Sequence, residues 1–184
     1  MRIQEAPLGF ALLGLIHQEP RSGYDLRKVF ATTPLMHFSD SPGAIYPALR
    51  RLRQQRLITT RGLVRRLSRR KQVFTVTSKG IHQLKKWLSR RIGRPDVVWH
   101  KDQLMLRLAF MSDVLGRRET IRFLEALRRE IASYVAELTT YHASAANAMP
   151  LSGRLAMESG IESYKAQLQW ARRALRKVKR KRKI

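Results

Sequence analysis

Apolar positions recur at helical spacing through most of the 184-residue chain. Between Pro7 and His17, Leu8, Ala11, Leu12, Leu15 and Ile16 share one face and predict a first helix, ended at Glu19-Pro20-Arg21. Ser22 is a good N-cap for a short second helix over Tyr24 to Phe30, with Leu26, Val29 and Phe30 inward. Residues 31–41 have no period and read as a loop. Ser41-Pro42 then marks a helix start, because a hydroxyl satisfies orphan N–H groups and proline has none to lose. This third helix runs to about Gln55. Ile45, Leu49 and Leu52 form its buried stripe, Gly43, Tyr46, Pro47, Arg50 and Gln54 its opposite face, and Arg51 and Arg53 its flanks. Pro47 fits only in or near a first turn, so the start is irregular or lies closer to Ala44.

Two runs of β-formers, Leu57 to Leu67 and Gln72 to Val76, flank Ser68-Arg69-Arg70-Lys71 and predict a hairpin with a basic tip. Thr77 caps a fourth helix over Ser78 to Arg91, with Ile81, Leu84, Trp87 and Leu88 inward. Gly93-Arg94-Pro95-Asp96 predicts a domain boundary. Beyond it the chain reads as helix: Val98 to Met111, apolar nearly all round and so expected to be enclosed, then Arg117 to Ala148. After a break at 149–153, Arg154 to Val178 carries Ile161, Tyr164, Leu168, Ala171, Leu175 and Val178 as a coiled-coil-like seam. Two such helices cannot satisfy each other and also cover the Val98 helix, so a second copy of the chain is the economical cover. The expected fold is mainly α. A winged helix-turn-helix N-terminal domain occupies residues 1–92, an antiparallel long-helix dimerisation domain 97–178, and a basic tail 179–184.

Charge changes the picture more than composition does. The chain holds 38 Lys+Arg against 13 Asp+Glu, a net charge of +25. Residues 1–95 carry 20 cations and 4 anions, residues 96–171 nine of each, and residues 172–184 nine cations and no anion. A folded segment this positive repels itself unless its partner is a polyanion. Nucleic acid comes first, an anionic membrane surface second, and solubility alone needs far less charge. The neutral middle suits packing against protein. The basic C-terminal run reads either as a solvated helix end or as an arm lying on DNA, and the arm is the expectation.

The predicted order of three short helices, a hairpin and a fourth helix suits duplex DNA, whose major groove is as wide as a helix. Arg50 and Arg51 can fork onto guanine edges or phosphate. Ser41 and Tyr46 can hydrogen-bond phosphate, and Gly43 permits close backbone approach. Arg65, Arg66, Arg69, Arg70 and Lys71 on the wing would lie along adjacent phosphates. Alternatives are a solvated basic face, a low-specificity nucleic-acid binder of nucleoid type, or an RNA-associated protein, for which no aromatic stacking platform is evident.

These residues also carry a resemblance. Leu13-Gly14-Leu15, Ser22-Gly23-Tyr24-Asp25-Leu26, the run Ser39 to Leu52 with its Ser-Pro-Gly-x-Ile-Tyr-Pro-Ala-Leu core, Leu57-Ile58 and Val73 to Gly80 resemble the DNA-binding domain of the PadR family of bacterial transcription regulators. The likeness spans roughly residues 8–90, and the helical remainder is similar in kind to that of the longer PadR subfamily. The resemblance implies a homodimer joined by C-terminal helices, a palindromic operator, repression of nearby genes and, in some members, release by a small-molecule effector; the expected location is the bacterial cytoplasm, in association with the nucleoid. It carries DNA contact onto Tyr24, Ser41, Gly43, Tyr46 and the wing cations. The chain departs from the family where Arg53 and Arg56 replace an acidic residue and a glycine, where Phe74 replaces a tyrosine, and in its basic tail. If the position of Arg56 requires a left-handed backbone, losing glycine there costs about 1 kcal/mol.

Other chemistry has no residues behind it. The chain has no Cys, so disulfides, thiolate metal sites and a Cys nucleophile are excluded. His17, His37, His82, His100 and His142 lack ligand spacing, no phosphate-binding loop or catalytic motif occurs, and neither metal, cofactor nor enzymatic activity is expected. No apolar run approaches the roughly 18 residues of a membrane span. Ala6 to Ile16 reads as a buried helix rather than a signal core, since Glu5 precedes it and no cleavage site follows. Trp87, Trp99, Phe110, Tyr164 and Trp170 are candidates for an effector pocket, against the simpler reading of core and interface packing.

Overall fold

The computed structural model describes residues 7–39, 42–61 and 72–180, and divides into two compact units, Met1–Ser89 and Arg90–Ile184. The first opens with α1 (Pro7–Gln18), in which every residue from Leu8 to Ile16 is buried. The sequence predicts one buried face; the structure buries the whole circumference. The reason is that α3 (Ile45–Gln54), α4 (Ser78–Leu88) and the strand β3 (Val73–Val76) all pack on it, and Phe10 stacks on Trp87 with ring centroids 4.5 Å apart. Glycines at 9 and 14 and alanine at 11 keep this central rod thin.

Ser22 caps α2 (Gly23–Thr32) as expected and does so reciprocally. Its Oγ accepts from the Asp25 N–H at 3.2 Å, and the Asp25 carboxylate accepts from the Ser22 N–H and hydroxyl at 3.3 and 2.6 Å. A two-residue strand β1 (Arg21–Ser22), which periodicity did not predict, precedes it. Within the predicted loop, Pro34–Phe38 makes a 3-10 turn. A second 3-10 turn at Pro42–Ala44 leads into α3, which starts at Ile45 with no side-chain cap. That placement leaves Pro47 in the first turn, where its missing N–H is harmless. Ser41 lies outside the described residues.

The sheet has the order β1-β3-β2 and is antiparallel throughout, with β2 at Ile58–Arg61. Ile58 faces Val76, Thr60 faces Phe74, and on the other edge Arg21 also faces Phe74. The hairpin tip and its cations Arg65, Arg66, Arg69, Arg70 and Lys71 lie outside the described residues. Thr77 caps α4, its hydroxyl accepting from Gly80 N–H at 3.1 Å while donating to the carbonyls of Arg56 and Leu57. Three helices, a hairpin and a fourth helix make this unit a winged helix-turn-helix.

The second unit is helical. Gly93 to Asp96, predicted as a boundary, is the start of α5 (Arg94–Trp99), with the Asp96 carboxylate accepting from Gly93 N–H at 2.8 Å. The single helix predicted over Val98 to Met111 is broken at His100, and α6 (Lys101–Ala145) follows. Gly116 interrupts α6 with φ 82° and ψ 177°, a region open essentially to glycine alone, and separates the two helices the apolar pattern predicts on either side. α7 (Leu151–Lys179) runs antiparallel to α6. Tyr134 meets Tyr164 edge-on at 4.8 Å, Lys179 reaches Glu125 at 2.6 Å, and Arg117 donates to the carbonyls of Val178 and Lys179. Residues 172–179 are therefore the end of a helix and not an extended arm. Basic side chains suit the negative end of a helix dipole, and Arg117 satisfies the carbonyls left open there.

Candidate nucleic-acid interface

α3 is divided by burial as its pattern predicts. Ile45, Ala48, Leu49 and Leu52 are in the core at 4% exposure or less, while Tyr46 is 46% exposed and Arg50, Arg51 and Arg53 are exposed. The stripe at 45, 49 and 52 anchors the helix, so positions 46, 50 and 53 point away from the core on the opposite side. Tyr24, in the first turn of α2, is 51% exposed.

These side chains converge. A cleft of about 380 Å³ is lined by Tyr24, Tyr46, Arg50 and Arg53, floored by Leu49 and Phe74, and edged by Ser22, Gly23 and Gln72. It joins the start of α2, the outer face of α3 and the strand that leads from the wing. Gly23 makes the tight approach possible, since a Cβ there would lie 2.8 Å from the Tyr46 ring. Arg27 stacks over Tyr24 at 5.5 Å. The guanidiniums of Arg50 and Arg53 have no hydrogen-bond or ion-pair partner among the described residues, whereas Glu19 is paired with Arg21 at 2.6 Å and Asp25 completes the α2 cap. The cleft thus offers two guanidiniums and two phenols, a set suited to phosphate oxygens and base edges.

Of the residues expected at a DNA surface, Tyr24, Tyr46 and Arg50 line the cleft, Gly43 is exposed at the turn before α3, and Arg51 is exposed outside the lining. Ser41 and the five wing cations are not among the described residues. Arg53 and Gln72 were missed as site residues. Arg53 stands seven residues after Tyr46 and three after Arg50, a helical spacing that places it on their face; Gln72 has no such signal.

The aromatics expected at an effector pocket occupy different settings. Trp87 is in the core of the first unit against Phe10. In the second unit Phe110 is buried, Tyr164 packs on Tyr134 with its hydroxyl pKa raised by burial, and Trp170 is half-buried. Trp99, expected within an enclosed helix, is 77% exposed, because the break at His100 ends α5 there. Arg107 is 4% exposed, donates to the Arg90 carbonyl and lies over Phe123, and burial lowers its pKa to about 10. Among the described residues no helix is long and apolar enough to cross a membrane.

Residues 12–86 match the transcriptional regulator PadR-like family, and residues 100–179 match the virulence activator alpha C-terminal family. The negative transcriptional regulator PadR of Bacillus subtilis (strain 168) is 30% identical over 145 residues, 79% of each chain. Among solved structures, B. subtilis PadR in complex with operator DNA is 26% identical, covers 93% of this chain and 98% of its own, and has a TM-score of 0.44. The same protein in complex with p-coumaric acid is 25% identical, with 98% and 99% covered and a TM-score of 0.43. On the extent of the B. subtilis match, together with the family match to its winged helix, the chain belongs to the PadR-like family of transcriptional regulators.

Proposed function

We propose that the protein is a homodimeric repressor that binds a palindromic DNA operator through α3, the start of α2 and the wing, and that it acts in the cytoplasm without catalysing a reaction. The observation that carries this reading is the cleft in which Tyr24, Tyr46, Arg50 and Arg53 converge on the solvent side of a helix whose other side is core. A helix so exposed can enter a major groove with Arg50 at base edges and the tyrosines on flanking phosphates. The wing cations Arg65, Arg66, Arg69, Arg70 and Lys71 extend the contact along the backbone. Support for dimerisation comes from the second unit, which leaves Tyr141, Leu151 and Leu155 more than half exposed at one end of the α6–α7 hairpin. The B. subtilis relative is a negative regulator, and its p-coumaric acid complex supplies the first small molecule to try as an effector.

Enrichment of bound genomic fragments followed by footprinting tests the reading. The expected result is protection of two half-sites one helical turn or a multiple apart. A ratio of specific to non-specific affinity near one at physiological salt selects a low-specificity DNA binder instead, the reading that the net charge of +25 favours.

A further inference from the structure

We propose that the last turns of α7 form a second surface for duplex DNA, on the helical unit itself and in addition to the α3 contact. The proposal rests on the DNA-binding reading for the identity of its partner and adds a site to it. Arg172, Arg173, Arg176, Lys177 and Arg180 are all exposed, and their side chains have no hydrogen-bond or ion-pair partner among the described residues. Leu168 and Ala171, with the half-buried Leu175 and Val178, form the opposite face, which packs on α6. The five cations therefore stand in one stripe. Arg172, Arg176 and Arg180 form one row and Arg173 and Lys177 another, with about 6 Å of rise between members. No acidic residue occurs from 163 to 180. Lys179, off this stripe, is the one held by Glu125.

The form of the stripe selects its partner. A helix that lies on an anionic membrane inserts a free apolar face, and here that face is spent on α6. A single-stranded ligand needs aromatic rings to stack its bases, and residues 171–180 contain none. A second copy of the same stripe is repelled by its charge. A rigid double row of guanidiniums and ammonium groups without carboxylates fits the phosphates of a duplex, read without regard to sequence.

The test uses the full-length protein and a random-sequence 20-base-pair duplex over a salt titration. Three proteins are compared: wild type, a variant with Arg172→Gln, Arg173→Gln, Arg176→Gln and Lys177→Gln, and a variant with Arg50→Gln and Arg53→Gln. The α7 variant is expected to bind about tenfold or more weakly at 0.1 M salt, with the slope of log K against log salt shallower by roughly 2 to 4. Replacing Arg172, Arg173 and Arg176 by Lys in place of Gln, with Lys177 kept, should restore both, which separates charge from any loss of fold. Wild-type affinity and slope in the α7 variant, with binding weakened in the α3 variant, overturn this proposal and leave the DNA-binding reading standing. Loss of binding to phosphatidylserine vesicles with duplex binding unchanged also overturns it. A wild-type protein that binds no duplex overturns both.

Discussion

At Arg56 the backbone takes φ 60°, the single non-glycine residue with positive φ among the described residues. Arg56 N–H bonds to Arg53 O at 2.9 Å and Leu57 N–H to Leu52 O at 2.9 Å, while Leu52 and Leu57 are both buried. That pair of bonds is a Schellman motif closing α3, and it normally ends in glycine. A side chain in the left-handed region costs about 1 kcal/mol. Arg56→Gly is therefore expected to raise stability by about that amount, read as a higher urea midpoint at unchanged slope. A lower midpoint would mean that the arginine side chain contributes more than its backbone costs. The Arg56 carbonyl also accepts from Thr77 at 2.7 Å, tying the end of α3 to the start of α4. Gly80 completes the junction, since a Cβ there would meet the Leu57 carbonyl at 2.1 Å and no backbone carbonyl yields that far. Gly80→Ala should destabilise the first unit by roughly 1–3 kcal/mol, checked by the same urea titration. The Thr-x-x-Gly pattern thus has a mechanical meaning: threonine caps the helix and glycine lets it abut the strand.

At the scale of elements, α3 carries the contrast between reading and anchoring. Arg50→Gln should cost about 1–3 kcal/mol of binding and relax specificity if the side chain reaches a base, whereas Arg53→Gln should weaken binding to all sequences alike. Competition between operator and random duplexes separates the two, and equal selectivity loss in both would place Arg53 at a base as well. Helices whose apolar stripe repeats every three or four residues were legible in the sequence, and α3 was legible to its buried stripe and to Tyr46 and Arg50 opposite it, though the pattern put Arg53 on a flank. The rest was not, for identifiable reasons. β1 has two residues, too few for any period. The break at His100 lies inside a run where apolar residues continue on both sides, so pattern alone bridges it. After Ala171 two signals disagreed: the seam through Leu175 and Val178 predicted helix as far as Val178, which the structure bears out, while the basic composition suggested a free arm; Arg117 caps the end of that helix. The cleft itself was legible only in part, because Tyr24 and Gln72 reach it from other elements.

The elements of the second unit are fastened by ion pairs that respond to acid. Arg94 of α5 holds Glu137 of α6 and stacks on Tyr134 at 4.9 Å, and Lys179 of α7 holds Glu125 of α6. Hydrogen bonds from those cations set both carboxyls below their ordinary pKa of 4.5. A carboxyl whose pKa is lowered by folding stabilises the folded state fully above its unfolded value and loses that contribution as pH falls through its folded one. Both acids are solvated, so the effect is modest and screened by salt. Acidification below about pH 4.5 should lower the stability of the second unit slightly, read as a small fall in its urea midpoint relative to neutral pH. Glu137→Gln should flatten this dependence, and an unaltered acid profile in that variant would show that the Arg94 clamp contributes nothing measurable.

For the whole molecule, the two units divide labour by charge. The first 95 residues hold 20 cations to 4 anions, which suits one polyanion and leaves little with which to hold a second protein copy. The segment 96–171 is balanced at nine of each, and at the loop end of its hairpin Tyr141, Leu151 and Leu155 are 59%, 62% and 54% exposed. The opposite end carries the cations of α7. The hairpin is thus apolar at one end and cationic at the other, and only the apolar end is suited to meet its own copy. Leu151→Ser with Leu155→Ser should convert a dimer to a monomer at micromolar concentration by sedimentation, since neither side chain is part of the core of one chain. The consequence for DNA follows from linkage. On the proposed dimer, two copies of α3 would make the second half-site contact intramolecular, which raises affinity about 10²- to 10⁴-fold when the spacing fits. The double variant should therefore keep its affinity for a single half-site and lose roughly that factor on the palindrome. A variant that stays dimeric would move the interface elsewhere on the second unit, with the exposed Trp99 of α5 the next place to cut. A variant that becomes monomeric yet binds the palindrome as before would show that one protomer does all the reading.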